Sequence, residues 1–140
     1  MLPAPSLPLT PERSLEQSLS GFLMMPLPHD TTIISLPSLG IIHVADMSLL
    51  NPTTVDLSGN IITIYTCPSS FLNVTTFNIS SNKLNLASIA SILHVIALSG
   101  SVCAVDVSGK DMASHSTWTS TMLADETTIT NNGGSVHSQP

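Results

Sequence analysis

The side chains of this chain that could perform chemistry are two cysteines, five histidines and an abundance of serine and threonine. Cys103 with His94 or His115 is the one pairing that could form a nucleophile and base, because a histidine can take a thiol proton. Cys103 lies in an aliphatic run, however, where a cysteine ordinarily behaves as a small apolar residue. The serines form no Gly-x-Ser-x-Gly elbow, and no glycine-rich phosphate loop occurs. His29, His43, His94, His115 and His137 are dispersed, none with a second histidine or cysteine at a zinc spacing, so neither a metal nor a cofactor is expected. The chain reads as a non-enzyme. Its better candidates are Asp56, Asn78, Asp106 and Thr128, polar residues at equivalent places in a phrase that recurs.

That phrase appears as Thr53-Thr54-Val55-Asp56-Leu57-Ser58-Gly59-Asn60, Thr75-Thr76-Phe77-Asn78-Ile79-Ser80-Ser81-Asn82, Val105-Asp106-Val107-Ser108-Gly109-Lys110 and Thr127-Thr128-Ile129-Thr130-Asn131-Asn132, in steps of 22, 28 and 22 residues. A period of this size signals stacked units, each burying its apolar face on its neighbours. An earlier unit begins at Thr31-Thr32, with apolar positions Ile34, Leu36, Leu39 and Ile41 in a register slipped by one residue. In each triplet the outer apolar residues share one face of an extended segment and the middle residue points the other way.

Written out, Val74-x-x-Phe77-x-Ile79-x-x-Asn82-x-Leu84 resembles the leucine-rich repeat signature at every specified position. Val55, Leu57, Asn60 and Ile62 fit the same frame behind Pro52. Val102, Val105, Val107 and Met112 fit it with Lys110 in place of asparagine, and the last unit keeps Ile129 and Asn132. The resemblance covers about residues 31–132 and implies an α/β fold: a short leucine-rich-repeat solenoid with parallel strands on a concave face and convex segments that mix helix, 3-10 and extended chain. It also implies a protein-interaction module, a scaffold whose concave face carries Asp56, Asn78, Asp106 and Thr128 as a ladder. An asparagine amide can bond the backbone of adjacent turns. Lys110 cannot accept such a bond, which puts the stacking of the fourth unit in question.

Between the third and fourth units, Leu86, Ile89, Ile92, Leu93 and Ile96 share a helical face, predicting a helix from Asn85 to near Gly100. Ile62-Thr63-Ile64-Tyr65-Thr66 is β-branched and reads as extended or 3-10. Residues 1–30 form a Pro-rich leader or N-terminal cap, with a helix over 11–24 signalled by Thr10-Pro11 and by Leu15, Leu19, Phe22 and Leu23. Trp118 is expected to pack over the last repeat, and residues 133–140 read as a disordered tail.

Composition narrows the partners. Three basic residues against nine acidic ones give a net charge of −6, which excludes nucleic acid as a partner, because neutralising phosphates needs clustered Lys or Arg. Asp56 and Asp106 would make the ladder acidic and favour a basic protein partner. An alternative reading anchors a small membrane-associated protein through residues 84–105, a stretch without charge but with seven polar or glycine positions. Another treats the chain as an orphan reading-frame product with no evolved function. Asn73 and Asn78 satisfy the N-glycosylation pattern, and an Asn78 glycan would obstruct the ladder. The N-terminus lacks a basic n-region and does not read as a secretory signal. Cys67 and Cys103 permit one disulfide or two buried thiols.

Overall fold

The computed structural model describes residues 32–44 and 50–140; the leader, its expected helix over 11–24 and His29 lie outside them. Among the described residues the strands are β1 (Ile33–Ser35), β2 (Thr54–Asp56), β3 (Thr76–Asn78), β4 (Ala104–Val107) and β5 (Ser135–Ser138). The helices are α1 (Leu86–Ser99), between β3 and β4, and α2 (Ser120–Asn131), between β4 and β5, with a short 3-10 turn at His115–Thr117. The strands form one all-parallel sheet in chain order, β1-β2-β3-β4-β5. Segments 55–57, 77–79 and 105–107 therefore lie side by side, Val55 facing Phe77 and Phe77 facing Val105.

Alternation along each strand sets the two faces. Ile34, Val55, Phe77 and Val105 point inward with Leu36, Leu57, Ile79 and Val107 just beyond them, all at 2% exposure or less. Each such apolar side chain removed from water contributes about 1.5–3 kcal/mol. Across the interior, α1 closes the β3–β4 connection with Ile89, Ile92, Leu93 and Ile96 buried. Its ends fall where the sequence signals put them: the Asn85 Oδ1 accepts from the Ser88 N–H at 2.9 Å, and Gly100 takes φ 71°. Gly100 stops the helix because a left-handed residue releases the last carbonyls without a Cβ clash. Ser88 and Ser91 serve the preceding turn, whose extended chain lacks a ladder of its own. The Tyr65 N–H donates to Ser88 Oγ at 2.9 Å and the Cys67 N–H to Ser91 Oγ at 3.2 Å, while Ser91 Oγ–H bonds the Tyr65 carbonyl.

Two buried asparagines stitch the turns after the strands. Asn60 Oδ1 accepts from the Leu39 and Ile41 N–H groups at 2.9 and 3.0 Å, and its Nδ2 donates to the Leu36 and Leu57 carbonyls. Asn82 repeats the pattern one turn on, accepting from Ile62 N–H at 3.0 Å and donating to Leu57 and Ile79. The amide suits this place because it offers a donor and an acceptor together where neither water nor a strand reaches. At the next turn Lys110 is exposed, and the Leu84 N–H turns instead to Met112 Sδ at 3.4 Å, with the Ala113 N–H on the Leu84 carbonyl at 3.2 Å. The lysine costs this turn its amide, yet β4 still pairs in register with β3.

The last unit departs from expectation. Thr127, Thr128 and Ile129 lie within α2, not on a strand. Threonine is tolerated there because its hydroxyl can bond back along the helix: Thr127 Oγ1 donates to the Leu123 carbonyl and Thr128 Oγ1 to Ala124, each at 3.0 Å. Thr119 caps the helix, and Met122 and Ile129, seven residues apart, supply the buried stripe. The fifth strand comes from the tail that was expected to be disordered. Gly134 makes this possible, since a Cβ there would overlap the Cys103 carbonyl oxygen. In the fourth unit Val102 is exposed and Cys103 occupies the buried place before the strand. Trp118 is 7% exposed, with its ring 4.5 Å from that of His115.

Candidate interaction face

The sheet register gathers one row of outward side chains: Ser35, Asp56, Asn78, Asp106 and His137, each paired with the next across the strands. Three of the four residues expected to form a ladder therefore meet. Thr128 does not, because it sits on α2, and His137 occupies the corresponding place on β5. That fifth position was legible only in the alternation Ser135-Val136-His137-Ser138 after the glycine pair, with a single apolar residue to mark it. A second outward row, Ile33, Thr54, Thr76, Ala104 and Ser135, runs beside the first. Ile33 stands beside Ser35 at the sheet edge, and the side chains next to Asp56, Asn78 and Asp106 are small.

Asp56, Asn78 and Asp106 are held alike. Asp56 Oδ1 accepts from the Ser58 N–H at 3.0 Å and its hydroxyl at 2.6 Å; Asn78 Oδ1 does the same with Ser80, and Asp106 Oδ1 with Ser108, at the same distances. The recurring Asx-x-Ser triplet thus fixes each side chain by two bonds to one oxygen. Among the described residues, what remains free is Oδ2 of each aspartate and the Nδ2 amide of Asn78. Along the row these present an acceptor, a donor and an acceptor, each half-buried. Pre-oriented groups lose less entropy on binding than mobile ones.

Other chemical candidates are dispersed. Cys67 and Cys103 are free thiols and both are buried. Burial, with the nearby Cys103 adding to it, pushes the Cys67 thiol up to about 12, and burial pushes Cys103 up to about 11. Such thiols stay protonated and are poor nucleophiles. The histidines considered beside Cys103 face carboxylates instead: His94 Nδ1 lies 3.4 Å from Asp125 Oδ2, and His115 Nε2 lies 3.0 Å from Glu126 Oε1. Ser80 and Lys83 stand at a Ser-x-x-Lys spacing, contrary to the expectation that this motif is absent. Ser80 Oγ is committed to Asn78, and Lys83 makes no bond to it.

Asn73 is exposed in the loop before β3, whereas Asn78 lies mid-strand and half-buried with its amide oriented by Ser80. A shallow cleft of about 270 Å³ between the third and fourth turns is lined by Ser81, Asn82, Lys110 and Asp111; Asn82 is fully engaged with backbone and offers nothing to it. Among the described residues no three His, Cys, Asp or Glu converge on a metal site, and no helix is long and apolar enough to cross a membrane. Residues 84–105 are divided between α1 and the start of β4. No protein-family model, curated protein or solved structure matches this chain.

Proposed function

We propose that this chain is a short leucine-rich-repeat-like solenoid that works as a non-enzymatic interaction module, binding a basic segment of a protein partner on its outward sheet face. The reading of the fold is supported by strands that follow one another in chain order and by Asn60 and Asn82 stitching successive turns through equivalent bonds. The reading of function is carried by one observation: the in-register row from Ser35 to His137, whose Asp56 and Asp106 keep a free carboxylate oxygen each. Lys83 and Lys110 lie off the strands, so among the described residues no lysine or arginine stands in the row. Charge complementarity of this kind steers a basic partner and fixes its register.

A random peptide library selected against the immobilised protein, followed by amide shift mapping of the bound peptides, tests the reading. Selected peptides are expected to be rich in Lys and Arg and to perturb residues 54–58, 76–80 and 104–108. Selection of acidic or apolar peptides, or perturbation confined to α1 and α2, refutes it.

A further inference from the structure

We infer that the segment this face accepts is a polyproline II helix carrying cationic side chains three residues apart; the inference rests on the interaction-face reading above. Neighbouring strands of a sheet lie ~4.8 Å apart. Asp56 and Asp106 are separated by one intervening strand, so their backbone positions are roughly 9.6 Å apart along the row. An extended β-segment crossing the strands repeats its side chains on one face every ~6.7 Å, which matches neither one strand step nor two. A polyproline II helix rises ~3.1 Å per residue with three residues per turn, so residues i and i+3 point the same way about 9.3 Å apart. That is the period that meets both aspartates.

The middle of the row supports the same occupant. Between the two carboxylates stands the free Nδ2 of Asn78, a donor that needs an acceptor opposite. A polyproline II segment makes no hydrogen bonds among its own backbone groups, so a carbonyl between its two cations is available to Asn78. The small Thr54, Thr76 and Ala104 beside the three central residues of the row leave room for such a rod to lie flat, and the rod is preformed, so it loses little conformational entropy on docking. The aspartates need no rearrangement, since Ser58 and Ser108 already hold their Oδ1 atoms. Arginine is favoured over lysine for its planar fork against a carboxylate.

The experiment measures fluorescence anisotropy at low ionic strength with three labelled peptides of equal charge: Pro-Pro-Arg-Pro-Pro-Arg-Pro-Pro, and versions with the arginines two and four residues apart. Binding of the three-residue spacing is expected to be about fivefold tighter than either alternative, the size of a single exposed ion pair. The advantage should vanish in Asp56→Asn and in Asp106→Asn. Equal affinity for all three spacings, still dependent on both aspartates, overturns the polyproline II inference and leaves the interaction face standing. If no peptide binds in an aspartate-dependent way, the inference and the basic-partner reading fall together. The spacing series needs no variant, so it decides the matter even if a substitution disturbs folding.

Discussion

Replacing Asn82 with alanine should separate what holds the turns together from what the turns display. Asn82 is 2% exposed and joins three places in the chain: Ile62 N–H donates to its Oδ1 at 3.0 Å, and its Nδ2 reaches the Leu57 and Ile79 carbonyls, each at 2.9 Å. After truncation the Leu57 carbonyl keeps its bond from Asn60 at 2.8 Å, whereas the Ile62 N–H and the Ile79 carbonyl lose their side-chain partner in a buried place. Each stranded backbone group costs about 1–3 kcal/mol, so Asn82→Ala should destabilise by about 3 kcal/mol and lower the melting temperature by roughly 10 °C. Asn78→Ala is the control. Asn78 also accepts two bonds from its i+2 serine, but on a half-exposed face where water replaces them, so its cost should stay within about 0.5 kcal/mol. Urea unfolding followed by circular dichroism measures both, with an unchanged m-value required for the comparison. Equal midpoints for the two variants would refute the claim that a buried amide clamps one turn to the next.

The remaining predictions concern neighbouring features. Burial that pushes Cys67 and Cys103 up to about 12 and about 11 should leave both unreactive toward iodoacetamide in the native protein and reactive in urea, as mass spectrometry would read. The unfolded thiols ionise near 9.0, so the unfolded state loses protons first as pH rises; stability should be full below that value and fall progressively above it, by up to about 1.4 kcal/mol per pH unit for each thiol. Buried Tyr65, also raised by desolvation, shifts alkaline stability in the same direction. Met112→Leu removes the sulfur that Leu84 N–H meets at 3.4 Å and should cost about 1 kcal/mol, less than Asn82→Ala, because a thioether is a weak acceptor. Gly134→Ala drives a methyl group into Cys103 backbone, so amides of Ser135–Ser138 should lose hydrogen-exchange protection while Thr76–Asn78 keeps it.

Where several physical signals agreed, the sequence could be read to the residue. At α1 an asparagine cap, a stripe of Leu and Ile at helical spacing and a terminal glycine coincided, and the helix runs Leu86–Ser99 between Asn85 and Gly100. The frame around Val74 to Leu84 placed Phe77 and Ile79 inside and Asn78 outside, as the burial shows. Expectation and structure part where a repeated phrase lacks its apolar partners. Thr127-Thr128-Ile129 copies the wording of earlier strands, but only Ile129 of the three is buried, and the cap at Thr119 with Met122 made a helix the better burial. The frame points to Val102, three residues before Val105 as Val74 is before Phe77, but the buried side chain is Cys103, beside the close approach of Gly134. His137 gave no signal on its own, since a polar residue acquires its place on a face only from the strand it is paired with.

The in-order parallel register makes the molecule behave as a ruler. Each strand adds one graduation to the outward face, and the chain needed to reach the next can be as short as the 22-residue step from Thr54 to Thr76. Duplicating that step would lengthen the face by one interval of ~4.8 Å without altering what any existing rung contacts on its other side. The spacing of charges on such a face is therefore adjustable by gene duplication in whole steps, while the chemistry at each mark changes by a single codon.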